Sequence, residues 1–510
     1  MIFVLPDQCS TELAPFDDAD PSAEAICMAE IDPATADGNE AHRQRLAVIF
    51  AAMRHFRDRL REKGFSVHYQ RVGAKNAATS QAEFLTEKIG ELQPKTVTVS
   101  EPSGRELLAD LQDAAAESRA ELDVREDATF LCAMDDFRSW ADGRKRMTME
   151  YFYREQRRAY GYLMNGDQPA GGDWNFDEDN RESFDEAPQG IKAPVQFCPD
   201  DRTQKTIADV ENAFPNAYGQ TASFAYPVTP EEARRAVRDF VEHRLPSFGT
   251  YQDAMWTNAP FLYHSRLSAA INLRLVTPRY VLDRAEEAYR DGDAPINAVE
   301  GFVRQILGWR EFVRGVYWTS GPDYEKRNAL NARRELPDLF WTGDTDMRCM
   351  SDCIGELNEH AYLHHIQRLM VTGLFGMLYG VKPQAMNDWH LAMYADAWPW
   401  VSAPNMVGMS QYADGGTVGT KPYAASGNYI NKMSNYCANC SYDYREATGE
   451  DACPFTTLYW DFLLQHEDEF QDNPRMNFQM KNVENKGRAE RDDIRQRAEY
   501  IRRRVREGTV

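Results

Sequence analysis

"MIFVLPDQCS", residues 1–10, runs an apolar stretch straight into a turn that contains no glycine. "AICMAEI" (25–31) is a second apolar run; it and "IFVLPD" read as buried strands, and "SVHYQRV" (66–72), "TVTVS" (96–100) and "ELDVRED" (121–127) follow as further strands. Between the second and third lie Leu46, Ile49, Phe50, Met53, Phe56 and Leu60 at helical spacing, with Gly64 after the last turn as a stop signal. Strand–helix alternation of this kind predicts an α/β domain, a parallel doubly wound sheet with right-handed crossovers. The first turn, "LPDQCS", is not G-x-G-x-x-G, so the layout is Rossmann-like without the dinucleotide fingerprint. That fold hosts many chemistries, so function has to be read elsewhere in the chain.

At 510 residues the chain has room for two to four domains of about 100–200 residues each. It is 43% hydrophobic and 12% aromatic, which favours large cores over disorder. The N-terminus has no basic region or long apolar run of a signal peptide, and no apolar run is long enough to span a membrane. Nine cysteines, an odd number, argue against a disulfide framework and for a reducing cytoplasm in which clustered thiols bind metal. A net charge of -22 repels nucleic acid on average, so DNA binding needs a local basic surface. Residues 481–510 are one such region, with ten Lys/Arg against six Asp/Glu, though "RAERDDIRQRAEYIRRRVREG" reads first as a solvated amphipathic helix.

Residues 1–130 form the α/β part and 131–215 read as connecting material. Within the connection, "GDQPAGGDWNFDEDNRESFDEAPQG" (166–190) is rich in Gly, Pro and acid; it reads as a solvated loop, with Mg²⁺ binding as the alternative. From 216 to 510 helical patterns dominate, as in "PEEARRAVRDFVEHRL" and "GELNEHAYLHHIQRLMVTGLFGMLYG", with tryptophans dense throughout. A large all-α domain is expected there.

Cys437-x-x-Cys440 with Cys453-Pro454 can wrap one inorganic centre. C-x-x-C pairs more commonly bind zinc, whereas a final cysteine followed by proline is frequent in iron–sulfur sites. The fourth ligand is Cys349 or Cys353 in "MRCMSDC"; spacing alone favours zinc, and ordinary buried thiols are the plain alternative. In "HHIQRLM", His364 and Arg368 fall on one helix face and His365 neighbours Arg368 at i, i+3. Asp396 follows as a candidate partner for Arg368 beside a polar ring.

These and other segments carry a resemblance. "IFAAMRHF" (49–56), "MTMEYFYRE" (147–155), "GGDWNFD" (171–177), "NAVEGFVRQILGWREFVRGVYW" (297–318), "HHIQRLMVTG" (364–373), "MSQYADGG" (409–416), "GTKPYAASGNYINKMSNYC" (419–437) and "ACPF" (452–455) resemble, in order and over nearly the whole chain, the iron–sulfur bacterial cryptochromes and photolyases. The resemblance implies an antenna domain (1–130), a linker (131–215) and a helical FAD domain (216–510). It also replaces zinc by a 4Fe-4S cluster on Cys349, Cys437, Cys440 and Cys453, leaving Cys353 spare.

For FAD the resemblance implies Ser265 and Ser268 facing phosphate, Gln305, Trp309 and Arg310 on the cavity floor, and Arg368, Asp396 and Asn405 beside the ring. His365 matches the active-site histidine of (6-4) photolyases, a general acid with a pKa near the working pH. Tyr423 and Tyr429 match aromatics near the lesion. Asp7, Gln8, Glu30 and Ile49 match the site of a 6,7-dimethyl-8-ribityllumazine antenna, and Asp177 an aspartate tied to Mg²⁺. Photoreduction would run through Trp389, the next residue and Trp341. Two positions depart from the family: His390 stands where Tyr is common, and Ser402 where a relative has a carboxylate. The implied function is light-driven electron transfer from reduced FAD to a flipped-out lesion in UV-damaged DNA, by a cytoplasmic monomer with Lys421, Arg266 and the basic tail as phosphate contacts. The alternatives are a blue-light sensor that repairs nothing and, more remotely, a zinc-bearing oxidoreductase.

Overall fold

The computed structural model describes residues 1–32, 41–144 and 146–510. The five apolar runs form five parallel strands: β1 (Ile2–Val4), β2 (Ala25–Ala29), β3 (Ser66–Gln70), β4 (Thr96–Ser100) and β5 (Glu121–Arg125), in the order β3-β2-β1-β4-β5. Because side chains alternate across a strand, Ile2, Val4, Ile26 and Met28 join the core that includes helix α1 (Arg43–Glu62). Phe3, Leu5, Cys27 and Ala29 join a second core with Phe84, Leu85 and Ile89 of α2 (Gln81–Leu92) and Leu111 of α3 (Arg105–Glu117). Burial on both faces is why β1 and β2 read as unbroken apolar runs, while the edge strands β3 and β5 are only half-buried and carry polar residues. α1 ends as expected, with Gly64 at φ +93°, a left-handed conformation that glycine adopts without cost.

The connecting stretch holds more structure than its composition suggests. Within it lie α4 (Met134–Ala141), α5 (Met149–Tyr160) and a helix at Asp201–Ala213. Phe137, Trp140 and Phe152 of α4 and α5 meet Phe312 edge-on or tilted, so these helices belong to a core shared with the helical part. The Gly- and acid-rich loop, and the residues from it to the helix Asp201–Ala213, lack regular structure apart from a minimal hairpin and the turn Asp177–Asp179.

Two helical expectations are corrected. The pattern at 355–380 is two helices: Arg348–His360 stops at Ala361, which takes φ +50°, and the chain restarts after His364. His364 is therefore a cap in extended conformation and does not share a helix face with Arg368. The tail is a docked amphipathic helix, Arg488–Arg506, with Ile494, Ala498, Ile501 and Val505 buried and Arg502 paired to buried Asp461. Among the described residues no helix is long and apolar enough to cross a membrane.

Buried ion pairs join the sheet to the helices. Arg274, in the helical part, reaches Asp7 at 2.8 Å and Asp127 at 2.7 Å, all three buried. Arg45 of α1 pairs with Asp32 at 2.7 Å and donates to the carbonyls of Tyr394 and Ala397. Breaking such a network from one side leaves charge buried without a partner. Arg274→Met, which strands two carboxylates, should cost about 3–5 kcal/mol, read as a lowered denaturant midpoint; a loss below about 1 kcal/mol would show the triad to be energetically idle.

Candidate functional site

Three helical segments of the C-terminal part are wound as π-helices: Arg304–Arg310, Arg368–Gly373 and Pro404–Ser410. π turns widen a helix and re-aim its side chains, and they concentrate at functional sites. These three carry Gln305, Trp309, Arg310, Arg368 and Asn405, and the last two segments pack on each other, with Gln411 donating to the Gly373 carbonyl. Arg368 grips Asp396 bidentately, both bonds at 3.0 Å, and Ser268 donates its hydroxyl to the same carboxylate at 2.5 Å. Burial pushes the Asp396 carboxyl up, but the Arg368 charge and these hydrogen bonds reverse that and hold it below the ordinary range. The result is a fixed edge of alternating donors and acceptors, suited to a polar planar ring.

The other expected FAD residues divide. Gln305 and Trp309 are half-buried, and Gln305 donates to the Gly301 carbonyl. Asn405 is also half-buried and donates to the Val401 carbonyl. Arg310, expected on the cavity floor with Gln305 and Trp309, is instead buried against Phe130 and Trp400 and bonded to Glu311 at 3.2 Å. Ser268, expected to face phosphate, is occupied by Asp396, while the Ser265 hydroxyl accepts from the Leu267 N–H. Arg266, a proposed phosphate contact, lies over the ring of Phe261 at 4.0 Å and of Tyr226 at 5.0 Å, so it packs against aromatics rather than standing free.

His365 is crowded by protein yet exposed along one edge, one helical turn before Arg368. Burial, with the Arg368 charge, lowers its pKa to about 4. The sequence expectation of a pKa near the working pH is therefore corrected: in this state the ring is neutral at pH 7. Behind it His264 and His364 stack at 4.3 Å, nearly parallel, and His264 Nε2 and both ring nitrogens of His364 lack a protein partner. Unpartnered buried polar atoms beside the Arg368–Asp396 edge fit a bound polar cofactor.

Trp389 is buried, donates to the Phe340 carbonyl at 3.1 Å and meets the Phe340 ring edge-on at 5.1 Å. Trp341 follows Phe340 in the chain and stacks on Tyr218 at 4.6 Å. The two departures noted in the sequence touch each other: His390 Nδ1 lies 2.9 Å from Ser402 Oγ. His390 also stacks on Tyr394 at 4.3 Å, and Tyr394 lies under the Arg368 guanidinium. His390 and Ser402 thus form a neutral hydrogen-bonded pair; burial lowers the His390 pKa to about 3.

Tyr423 and Tyr429 are half-buried, with Arg475 and Asp177 near the first and Asp253 and Arg181 near the second. Asp253 was not singled out from sequence, since an isolated aspartate carries no local signal. Burial raises its pKa to about 6, with Asp177 adding to the rise. Asp177 itself is bonded to Arg304. That pairing competes with the Mg²⁺ expected at Asp177.

The expected antenna residues lie on the sheet. Asp7 and Gln8 follow β1 and Glu30 follows β2, beside the point where strand order reverses, the usual ligand crevice of such sheets. All three, with Ile49, are buried. Glu30 is bound by Arg54, Tyr69 and the Val72 N–H, and Gln8 donates to the carbonyls of Ser100 and Glu101. Asp7 Oδ1 and the hydroxyls of Ser100 and Ser103 lack partners at this edge, which fits a small polar ligand there.

Cys349, Cys437, Cys440 and Cys453 line one cavity with Met347, Tyr436 and Phe455. Gly427 completes its wall; a Cβ there would sit 3.1 Å from the Cys453 sulfur. Cys353, buried on the same helix as Cys349, is not among the lining residues. Four thiols on one cavity suit a zinc ion or an iron–sulfur cluster. Burial and mutual repulsion raise Cys349, Cys437 (to about 12) and Cys453 (to about 11), so these thiols ionise together only around a cationic centre.

A doubly wound sheet docked on a helical body is the architecture of photolyases and cryptochromes. A cryptochrome from Synechocystis sp. PCC6803 superposes with a TM-score of 0.57 at 12% identity, over 99% of this chain and 98% of that one. An archaeal photolyase from Sulfolobus tokodaii, solved with two FAD molecules, superposes with a TM-score of 0.53 at 13% identity over 99% of both chains. Identities this low establish the fold alone. Residues 2–226 match the family described as deoxyribodipyrimidine photo-lyase-related protein. A (6-4) photolyase from Agrobacterium fabrum is 46% identical over 476 residues, 93% of this chain and 94% of that protein. The chain belongs to the cryptochrome/photolyase family.

Proposed function

We propose that the chain is a light-dependent DNA-repair enzyme of the (6-4) photolyase type, acting on UV-damaged DNA. The observation that carries this reading is the exposed His365 one turn from the Arg368–Asp396 edge, in a chain 46% identical to a (6-4) photolyase. FAD would lie against that edge, with Gln305, Trp309 and Asn405 around it; when reduced and excited by light it supplies the electron that opens the lesion. Arg368 and Asp396 orient the ring, and the stacked His264–His364 pair closes its surroundings to water. His365 presents a ring N–H to the lesion. Tyr423 and Tyr429 stack on the extruded bases, and extrusion costs least for a base whose pairing is already damaged. Arg181, Arg475, Lys421 and the basic tail helix would meet phosphate, so affinity falls steeply with salt.

Trp389, the Phe340–Trp341 segment and Tyr218 form a chain of rings for flavin photoreduction. Cys349, Cys437, Cys440 and Cys453 would hold a 4Fe-4S cluster, and a ribityllumazine antenna would use the Asp7 edge of the sheet. Magnesium at Asp177 is not part of this reading.

The test is a repair assay on oligonucleotides bearing either a (6-4) photoproduct or a cyclobutane dimer, under blue light, with the flavin verified as fully reduced. The expected result is restoration of the (6-4) lesion. Repair of neither dimer would overturn the enzyme and leave a blue-light receptor.

A further inference from the structure

One buried amide ties the cysteine-lined cavity to the flavin side. Gln367 is buried and directly precedes Arg368. Its Oε1 accepts from the His364 N–H at 3.2 Å, at the start of the turn that carries His365. Its Nε2 donates to Glu356 Oε2 at 2.6 Å and to Tyr436 Oη at 3.2 Å. Because the His364 N–H can only donate, the orientation of the amide is fixed. Glu356 sits on the helix Arg348–His360, whose first turn contains Cys349; Tyr436 directly precedes Cys437. Two of the four cysteines are thus on elements held by the same side chain that holds the His365–Arg368 turn.

Glu356 lies among groups that cannot neutralise a charge. On its own helix it faces Asp352, Glu359 and the buried Cys353; from the other two elements it meets Gln367 and Tyr436. Asp352 is committed to Arg348 at 2.8 Å and to the Thr257 hydroxyl. His364 is neutral, pushed far below its usual pKa by burial. Burial, reinforced by the two nearby acids and opposed by the Gln367 bond, raises Glu356 to about 8. At pH 7 the carboxyl therefore holds its proton and can accept from Gln367 without stranding a charge.

We propose that Glu356, Gln367 and Tyr436 form a relay that couples the cysteine-bound centre to the His364–Arg368 turn, so that the state of the centre sets the posture of His365 and Arg368 at the flavin. This rests on the iron–sulfur and flavin readings above. A displacement of either cysteine-bearing element moves one partner of a rigid, saturated amide, and the amide can follow only by pulling the turn. Gln367 is a positioning residue in this account.

The experiment uses purified holoprotein. Iron and FAD are counted first; a wild type lacking either removes the underlying readings and the relay with them. Tyr436→Phe removes one hydroxyl, and Gln367→Met removes every amide bond at similar volume. Both should keep wild-type iron and FAD content, shift the bound-flavin absorption bands and reduction midpoint, and lower repair about tenfold, as outer-shell losses do. Glu356→Gln, a permanently neutral isostere, should match the wild type at pH 7 and lack the change in flavin spectrum that the wild type shows between pH 7 and 9, as Glu356 ionises. Wild-type flavin spectra and repair in Tyr436→Phe and Gln367→Met overturn the relay. If Gln367→Met does not fold, Tyr436→Phe decides alone; loss of iron in Tyr436→Phe shows a role confined to the centre and overturns the coupling.

Discussion

Replacing His365 with alanine should lower light-driven repair about 10²–10⁴-fold while FAD stays bound. The ring is the exposed polar group nearest Arg368 on the turn, and nothing else on that turn offers an N–H to a lesion. The Arg368–Asp396–Ser268 contacts that would hold FAD do not involve it. Its protonation decides how it acts. With a pKa of about 4, roughly one molecule in a thousand carries the imidazolium at pH 7. A neutral ring still donates one N–H, so repair from this group should be flat between pH 6 and 8. The same shift has a stability consequence: the unfolded ring protonates first as pH falls below about 6.5, so this histidine withdraws stability between there and about 4. Single-turnover repair with reduced flavin measures the effect. Equal repair by His365→Ala and wild type would remove the histidine from the reaction and leave the enzyme class standing.

Replacing Cys349 with alanine should empty the metal centre and destabilise the fold by several kcal/mol, since centre binding is coupled to folding. Cys349 is the one cavity cysteine supplied from outside the 437–453 loop, so its loss uncouples that loop from the helix Arg348–His360. Cys437 and Cys453, raised by burial, take up protons, and the cavity wall must repack. Cys353→Ala is the control: its sulfur is buried beside the same helix turn but off the cavity wall, and iron content should stay at the wild-type value. Iron analysis and the thermal midpoint of both variants decide it; a brown, iron-replete Cys349→Ala would show that Cys349 is not a ligand.

How far the sequence could be read follows from the range of the forces involved. The strands β1 and β2 were legible because a strand buried on both faces must be apolar at every position, the half-buried edge strands β3 and β5 only through their place in the strand–helix alternation, and α1 because its apolar side chains repeat with the helical period. The Cys437–Cys440–Cys453 loop and the His365–Arg368 turn were also local patterns, and the family resemblance extended them to Cys349 and Asp396. The helices of the connecting stretch were obscured because their apolar faces are short and flank a long acidic loop. The break at Ala361 was invisible, since helix-forming residues continue through it.

What depended on packing left no local trace. Arg274 reads as an ordinary cation until the fold brings Asp7 and Asp127 to it. His390 and Ser402 read as two unrelated departures until they touch. Gln367 reads as a helix surface residue until burial gives its amide three partners. The pKa of His365 belongs to the same class. Sequence alone determined the parallel sheet, the helical body and the cysteine motif, because backbone periodicity and short spacing are written residue by residue. Only the tertiary structure decided which thiols share a cavity, which charges are paired and which histidines are neutral, because desolvation and Coulomb interaction depend on distances between segments far apart in the chain.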